Sequence, residues 1–482
     1  MKRPWLTTSL ISVIAVIGVA GVRHEAHMEV IRGLSSFRAA LPPGTTFTYS
    51  SATPAILSLG ATLTDITLRE GTTTFRATRM RLGHPRPTPD GGISIRTVEV
   101  REPFLQTPGQ IIHGTSLSLR QLILPPSLPA PSQASSSGSA PHSRIDLGHV
   151  ALAHGQINQL SIQNLTASSS PGPVNIHSIF ASNIVVDNYG PALVTSVHMA
   201  GGTLAYERTV KSHVPFPGQL PGPQIISGQA SLERGDLRQK DLAAQVAAMW
   251  EGQRMPSQTL PPESLSLHNF RLNMPSGTAR LDDLRGTGNL DKQIATLTLD
   301  LKGLHFRSDR KLPFPVNGTA STAHYTQVTD LGVHTSHTTT TLTIPDFAAM
   351  KLDLVISRPS ALGSPSTPQE VLQATTLKSA TFSIQGDRFI DTGFTLSARQ
   401  SGRGTTAEQI RARTAQALQA VLSVNPALTA IPDYVTRPAN RTLTLTYVPV
   451  NPTPLTVLND IGASPPSLMA LVASPDLKAS VQ

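Results

Sequence analysis

The sequence predicts a mainly β protein: an elongated, twisted antiparallel sheet, or a sandwich or barrel, with a few amphipathic helices and an N-terminal transmembrane helix. Three observations predict it. Short segments that alternate apolar and polar residues recur along almost the whole chain, which is the period of a strand with one wet face. Between them, 40 prolines and 35 glycines punctuate 482 residues at turn spacing. Only one uninterrupted apolar run is present, at residues 6–22.

That run, LTTSLISVIAVIGVAGV, follows the topology charges Lys2 and Arg3 and is closed by Arg23, His24 and Glu25. Its apolar side chains are Leu6, Leu10, Ile11, Val13, Ile14, Val16, Ile17, Val19 and Val22, with Trp5 at the entry. As a helix it is about 26 Å long, the short end of what crosses a ~30 Å hydrocarbon layer. It exceeds the usual h-region of a signal peptide, so it reads as a signal anchor; cleavage after Gly18-Val19-Ala20 stays open. Long domains translocate largely regardless of flanking charge, and no second run brings the chain back. The bulk is therefore expected beyond the inner-membrane lipid bilayer, in a bacterial cell the periplasm.

Cysteine is absent, which removes disulfides, thiolate metal sites and cysteine nucleophiles together. The formal charge is +9, but its basic residues are scattered singly along the chain. Such an excess reads as a solvated surface, with an anionic surface as the functional alternative. With aromatics at 4% and no recognisable binding motif, no nucleic acid is expected as a partner.

In chain order, residues 1–40 hold the anchor and a connecting helix, with Val30, Leu34 and Phe37 on one face and Pro42-Pro43 after it. A first β region, 41–124, opens on a hairpin of 61–68 and 75–82 with one imperfection in its alternation, followed by strands 93–100 and 116–124. Residues 125–143 (PPSLPAPSQASSSGSAPHS) are too polar to offset their ordering entropy, and form a loop or linker. The central β region, 144–356, carries strands at 145–153, 156–166, 174–186, 193–206 and 225–234. A helix at 241–253 interrupts them, with Asp241 as N-cap and Leu242, Val246, Met249 and Trp250 on one face. Strands resume at 264–273, 277–284, 286–289, 294–306, 318–327, 338–344 and 351–356. In 294–306, Leu297, Leu299 and Leu301 face one side and Thr296, Thr298, Asp300 and Lys302 the other. A loop at 357–368 leads to the C-terminal β region, 369–482. Its strands are expected at 377–385, 393–399 and 442–448, a helix at 406–422 opened by a Thr405-x-x-Glu408 capping box, and a short helix or turn at 467–473.

Familiar catalytic templates are missing: there is no H-E-x-x-H, no phosphate-binding Gly-Lys loop and no Gly-x-Ser-x-Gly elbow. His334 and His337 lack thiol or carboxylate partners in sequence and read as surface residues. Gly286-Thr-Gly288 and Gly402-Arg-Gly404 read as turns, and Asp282 and Asp283 fall on opposite faces of a strand. No enzyme activity, metal or cofactor is expected.

The opening Leu41-Pro42-Pro43-Gly44 with Tyr49-Ser50-Ser51, the unit Asp65-Ile66-Thr67-Leu68 before a turn and an alternating strand, and the closing stretch 434–448 with Pro452 and Pro454 resemble the AsmA-like envelope proteins and their uncharacterised alphaproteobacterial relatives. That resemblance implies a periplasmic twisted sheet tethered to the inner membrane, with work in outer-membrane assembly or phospholipid movement. It carries no site residues. Two helical patterns are too few to cover the many strands, so the apolar face either seals on itself or stays open as a groove. Lipid handling follows from the open face, with phospholipid as partner; a non-catalytic scaffold for other envelope proteins follows from the sealed one.

Overall fold

Period-two alternation, short hairpin turns and the absence of long helical patterns leave the chain one economical way to bury its apolar residues: pair each strand with its sequence neighbour. The computed structural model shows this for residues 30, 34, 35, 38, 44–55, 60–125, 149–167, 174–211, 223–251, 262–275, 277–308, 321–357, 374–401, 404–455 and 465–482, the residues it describes. They carry 22 strands in two compact units, Met1–Thr259 with Leu267–Pro275, and Leu260–Ser266 with Ser276–Gln482. The strand β13 (Ser264–Met274) divides between them.

In the first unit, β1 (Thr45–Thr48) and β2 (Ser51–Ala55) lie end to end along β3 (Gly60–Glu70). β3 pairs β4 (Thr73–Pro87), whose other edge takes β5 (Ile93–Arg101) and β6 (Phe104–Thr107). β7 (Gln110–Gly114) and β8 (Ser116–Leu124) return along these and pair β9 (Leu152–Ala167). Then follow β10 (Val174–Tyr189), β11 (Val194–Lys211) and β12 (Pro223–Lys240), each antiparallel to the one before.

The inward side of β3–β8 forms a closed core. Leu63, Ile66, Leu68, Met80, Leu82, Ile95 and Val98 are all at most 1% exposed, and Phe75, Val100, Leu122 and Leu124 join them. Each such side chain contributes about 1.5–3 kcal/mol by leaving water. Val30 and Leu34, both helical, pack into the same cluster, so the predicted connecting helix covers this core where it is described. Arg38 stacks its guanidinium 5.0 Å from the Tyr49 ring and donates to the Phe47 carbonyl at 3.2 Å.

The imperfection in the first hairpin is a local distortion shared by both strands. Asp65 takes φ 51° while the register holds from Thr64–Arg79 to Ile66–Ala77, and Leu63, Ile66 and Leu68 are all buried. The helix α1 (Leu242–Glu251) follows β12; its deepest described side chains are Ala243 and Ala247, 0% and 9% exposed. Leu242 and Val246, expected on the buried stripe, are only half-buried; the Met249 and Trp250 side chains lie outside the described residues. Asp241 stands at φ 55° and its carbonyl accepts from Gln245 N at 3.3 Å.

The second unit repeats the meander: β14 (Gly277–Asp291), β15 (Ile294–Ser308), β16 (Ser321–Asp330), β17 (Thr335–Ile344), β18 (Ala348–Ser357) and β19 (Thr376–Gln385), all antiparallel. A helical insert then intervenes: α2 (Asp387–Ser401), α3 (Ala407–Leu422), a 3-10 turn (Pro426–Leu428) and α4 (Ala430–Thr436). β20 (Thr442–Tyr447) and β21 (Thr453–Pro454) pair β19, and after α5 (Pro465–Val472) the strand β22 (Leu477–Val481) pairs β20. Tyr434 of α4 is 1% exposed, donates to the Ile384 carbonyl at 3.3 Å, and with Phe389 and Ile390 of α2 closes a second core over Ile384 and Leu443.

Several expectations are corrected. Residues 393–399 are not a strand; they belong to α2, because three alternating apolar residues fit either period and here Phe389, Ile390 and Phe394 serve a helix, with Arg411 of α3 over the Phe394 ring at 5.6 Å. The capping box is one residue later than predicted: Thr406 Oγ1 accepts from Gln409 N at 3.2 Å, and Gln409 Oε1 from Thr406 N at 3.1 Å, leaving Glu408 in the first turn. The separate strands at 156–166 and at the end of 145–153 are one strand, β9, and those at 277–284 and 286–289 are one strand, β14. Gly286 and Gly288 lie inside β14 and not in a turn, facing Leu299 and Leu297. The 3-10 turn, α4, β1, β2, β6, β7, β21 and β22 have no counterpart in the sequence reading.

No helix among the described residues is long and apolar enough to cross a membrane. The expected anchor, from Lys2, Arg3 and Trp5 to Val22, lies outside the described residues, as do most of the 125–143 loop and residues 358–368 of the 357–368 loop.

Candidate functional site

Register decides what each sheet presents. Residues opposite one another across an antiparallel pair share a face, so the pairings can be read as rungs running across the strands. In β9–β12 one side carries the rungs Ile162–Ile179–Leu204–Ala230, Leu160–Ala181–Gly202–Leu232 and Ile157–Ile184–Met199–Gly235. The other side carries Ser161, Thr203 and Ser231, with Phe180 exposed among them, and two cross-strand histidine–carboxylate contacts: His154–Asp187 at 2.7 Å and His198–Asp236 at 2.6 Å.

A crease crosses these four strands between the second and third rungs. Each strand steps three residues there instead of two, from Ile157 to Leu160, Ala181 to Ile184, Met199 to Gly202, and Leu232 to Gly235. Asn183 and Gly201 take left-handed backbone at the step, φ 47° and 90°. Gln156 Nε2 holds Asn183 Oδ1 at 3.0 Å, Asn158 Nδ2 donates to Ser116 Oγ at 2.6 Å, and Ser182 Oγ donates to the Ala200 carbonyl. All four strands step together, so the pairing stays in register across the crease and apolar residues meet apolar residues on both sides of it.

The second unit has the same construction. Leu284–Leu301–Ala323–Leu342–Met350–Ile384–Leu443 form one rung, and Gly286–Leu299–Tyr325–Thr340–Leu352–Phe382–Leu445 the next. The reverse face carries a threonine rung, Thr287–Thr298–Thr326–Thr339, that continues through Asp353 to Thr381 and Thr446. A Cβ on Gly286 would stand 2.7 Å from Leu299 Cδ2, so the glycine leaves room for the leucine opposite.

The two faces differ from the closed cores in exposure. None of Ile162, Ile179, Ile184, Leu204, Leu299, Leu301 and Leu342 is fully buried; all are half-buried, whereas Leu68 and Ile95 are 0% exposed. The helical insert buries the far end of the second face at Ile384 and Leu443. Towards β14–β17, Leu284, Leu299, Leu301 and Leu342 stay half-buried. One polar cluster interrupts this face: Tyr325 donates to Gln327 Oε1 at 2.9 Å, and Gln327 Nε2 to Ser336 Oγ at 2.9 Å.

The titratable side chains engage one another rather than a shared centre. Asp282 lies 2.8 Å from Arg280 and 3.5 Å from His305; Asp283 lies 2.8 Å from Arg285; His324 lies 2.7 Å from Asp300. His334 sits in the turn before β17 at φ 53°, and His337 lies on β17 opposite Val355. Among the described residues no three His, Asp or Glu side chains converge on a point where a metal would sit. Partial burial pushes the Asp353 carboxyl up, but the Thr339 hydroxyl, 2.6 Å away, and Lys351 at 2.9 Å outweigh it and hold its pKa below the usual carboxylate value. Burial pushes the Tyr434 phenol up.

These are amphipathic antiparallel sheets with half-buried apolar rungs on one side and paired polar groups on the other. A family model described only as an uncharacterized protein matches residues 335–481, less than a third of the chain. The match starts at the first residue of β17 and takes in the helical insert and the second core. No curated protein matches the chain.

Proposed function

We propose that the chain is a membrane-anchored envelope protein that handles lipid, by seating apolar chains on the half-buried rungs of β9–β12 and β14–β17. The observation that carries this is the exposure of the rungs: apolar residues of β9–β12 stay opposite one another on both sides of the crease, yet Ile162, Ile179, Ile184 and Leu204 are only half-buried, unlike the closed cores. A sheet that needed only stability would cover that face, as the insert covers Ile384 and Leu443. The apolar run at residues 6–22 and the resemblance to AsmA-like envelope proteins support an inner-membrane, periplasmic setting and phospholipid as the apolar partner. The test places a photo-crosslinking residue at Leu204 or Leu299 in the full chain in cells, with Thr203 and Thr298 as opposite-face controls. Lipid adducts at the leucines and not at the threonines are expected. Equal yields on the two faces, or none at the leucines, overturn the proposal.

A second reading, a non-catalytic scaffold for other envelope proteins, is favoured by exposed valines in the segment that the family model matches: Val424, Val448 and Val450 are 57%, 54% and 85% exposed. Protein rather than lipid adducts at Leu299 distinguish it.

A further inference from the structure

The outer face of β3–β8 gathers arginines that the sequence spaces singly. Arg76, Arg79 and Arg81 stand on β4; Arg79 faces Arg101 of β5, and Arg81 faces Glu99. Arg69 of β3 and Arg120 of β8 lie on the same face, opposite Thr74 and Thr97. The intervening positions, Phe75, Met80, Leu82, Val98 and Val100, are buried in the first core, so the pleat fixes the arginines outward. Arg81 is half-buried and the other five are exposed. Three carboxylates share the area, Glu99, Asp65 and Glu102, the last two at positive φ, against six guanidinium groups. No ion pair among the described residues involves any of the six.

Folding does not ask for Arg79 opposite Arg101, since like charges directly across a ladder destabilise it. Elsewhere the chain sets opposite charges across its strands, with Asp283 opposite Lys302 and Arg285 opposite Asp300. We propose that this face docks on the headgroups of an anionic phospholipid bilayer, which supply the missing counter-charge. The arginines spread over four adjacent strands, roughly 15 Å at ~4.8 Å per strand, which is a two-dimensional field suited to a plane of phosphates. Nucleic acid fits less well, because Phe104, opposite Arg76, is the aromatic residue that these rows offer for base stacking. Chain geometry agrees, on the reading that residues 6–22 sit in the bilayer. Val30, the first described core residue, is eight residues beyond Val22 and so within about 28 Å of it.

Each arginine near an anionic surface is worth about a fivefold change in the docking equilibrium, so removing three lowers it roughly 100-fold. The chain lacks cysteine, so Ser118→Cys on the same face, opposite Glu99, takes a single fluorophore. The full chain is reconstituted in vesicles carrying headgroup spin labels. Quenching is expected in phosphatidylglycerol-containing vesicles, absent in phosphatidylcholine alone, and lost in high salt. The R79S/R81S/R101S variant, checked for native circular dichroism, loses it roughly 100-fold, and R79K/R81K/R101K keeps it. Equal quenching in neutral vesicles, no quenching in anionic ones, or quenching that survives the serine substitutions overturns the proposal. So does protection of the label by added nucleic acid but not by anionic vesicles, which assigns the face to that polymer.

Discussion

Leu68→Ala and Leu204→Ala remove the same atoms from two places in the first unit, and the structure sets very different costs for them. Leu68 is 0% exposed on β3, enclosed by a core that relaxes poorly around a void; truncating it costs about 3–4 kcal/mol, transfer and cavity together. Leu204 on β11 is half-buried between Ile179 and Ala230, and water fills the space its side chain leaves. Its truncation loses only part of a transfer free energy, about 1 kcal/mol. Urea unfolding of the full chain, followed by hydrogen exchange so that peptides of the first unit are read separately from those of the second, gives both numbers in one background. A gap of about 2 kcal/mol or more is expected. Equal costs, to within about 0.5 kcal/mol, would show that the β9–β12 face is as sealed as the β3–β8 core and would refute the reasoning from the rungs.

Four further outcomes follow from the geometry. Asn183→Val puts a β-branched residue at φ 47° and removes the bond from Gln156; about 1–3 kcal/mol is lost, with faster exchange of β10 amides. Asn425→Ala strips the Nδ2 bonds to the Val472, Ser474 and Leu477 carbonyls and the cap on Ala427 N, lowering the unfolding free energy of the second unit, read from urea titration, by about 2–3 kcal/mol. Asp353 titrates lower in the fold than in the unfolded chain, so its stabilisation is complete above the unfolded carboxylate pKa and disappears as pH falls through the lower folded value. In acid titration, Asp353→Asn is therefore less stable than the parent at neutral pH, and the two converge in acid below that value. Arg101→Ser relieves the repulsion from Arg79 and stabilises the first unit by a few tenths of a kcal/mol to about 1 at low ionic strength, less in salt; thermal unfolding at two salt concentrations reads it.

Much of the sheet was legible because alternation is a local signal. The leucines of β15 face one way and its threonines the other, as 294–306 reads on its own. The rungs were less legible, since which leucine meets which depends on register between distant strands, and the sequence marks the backbone distortions only by an Asn, Asp or Gly where the alternation slips. Asp65 was visible in this way, as an imperfection; Asn183 and Gly201 were not distinguished from ordinary strand residues. The arginine face was hidden for the same reason: Arg79 and Arg101 are 22 positions apart, and only the β4–β5 register sets them opposite one another. Residues 393–399 misled because a seven-residue stretch with three apolar positions does not separate period two from period 3.6. The capping box slipped by one because Thr405-x-x-Glu408 and Thr406-x-x-Gln409 overlap, and only the helix start selects between them.

Native mass spectrometry of the full chain released from detergent tests most directly whether the apolar faces of β9–β12 and of β14–β17 hold lipid. Mass increments of diacyl-lipid size are predicted on the parent chain, lost when Ile179, Leu204 and Leu299 are replaced together by aspartate and kept when Ser178, Thr203 and Thr298 are. A bare parent chain, or increments that persist after the first set of replacements, would contradict the account.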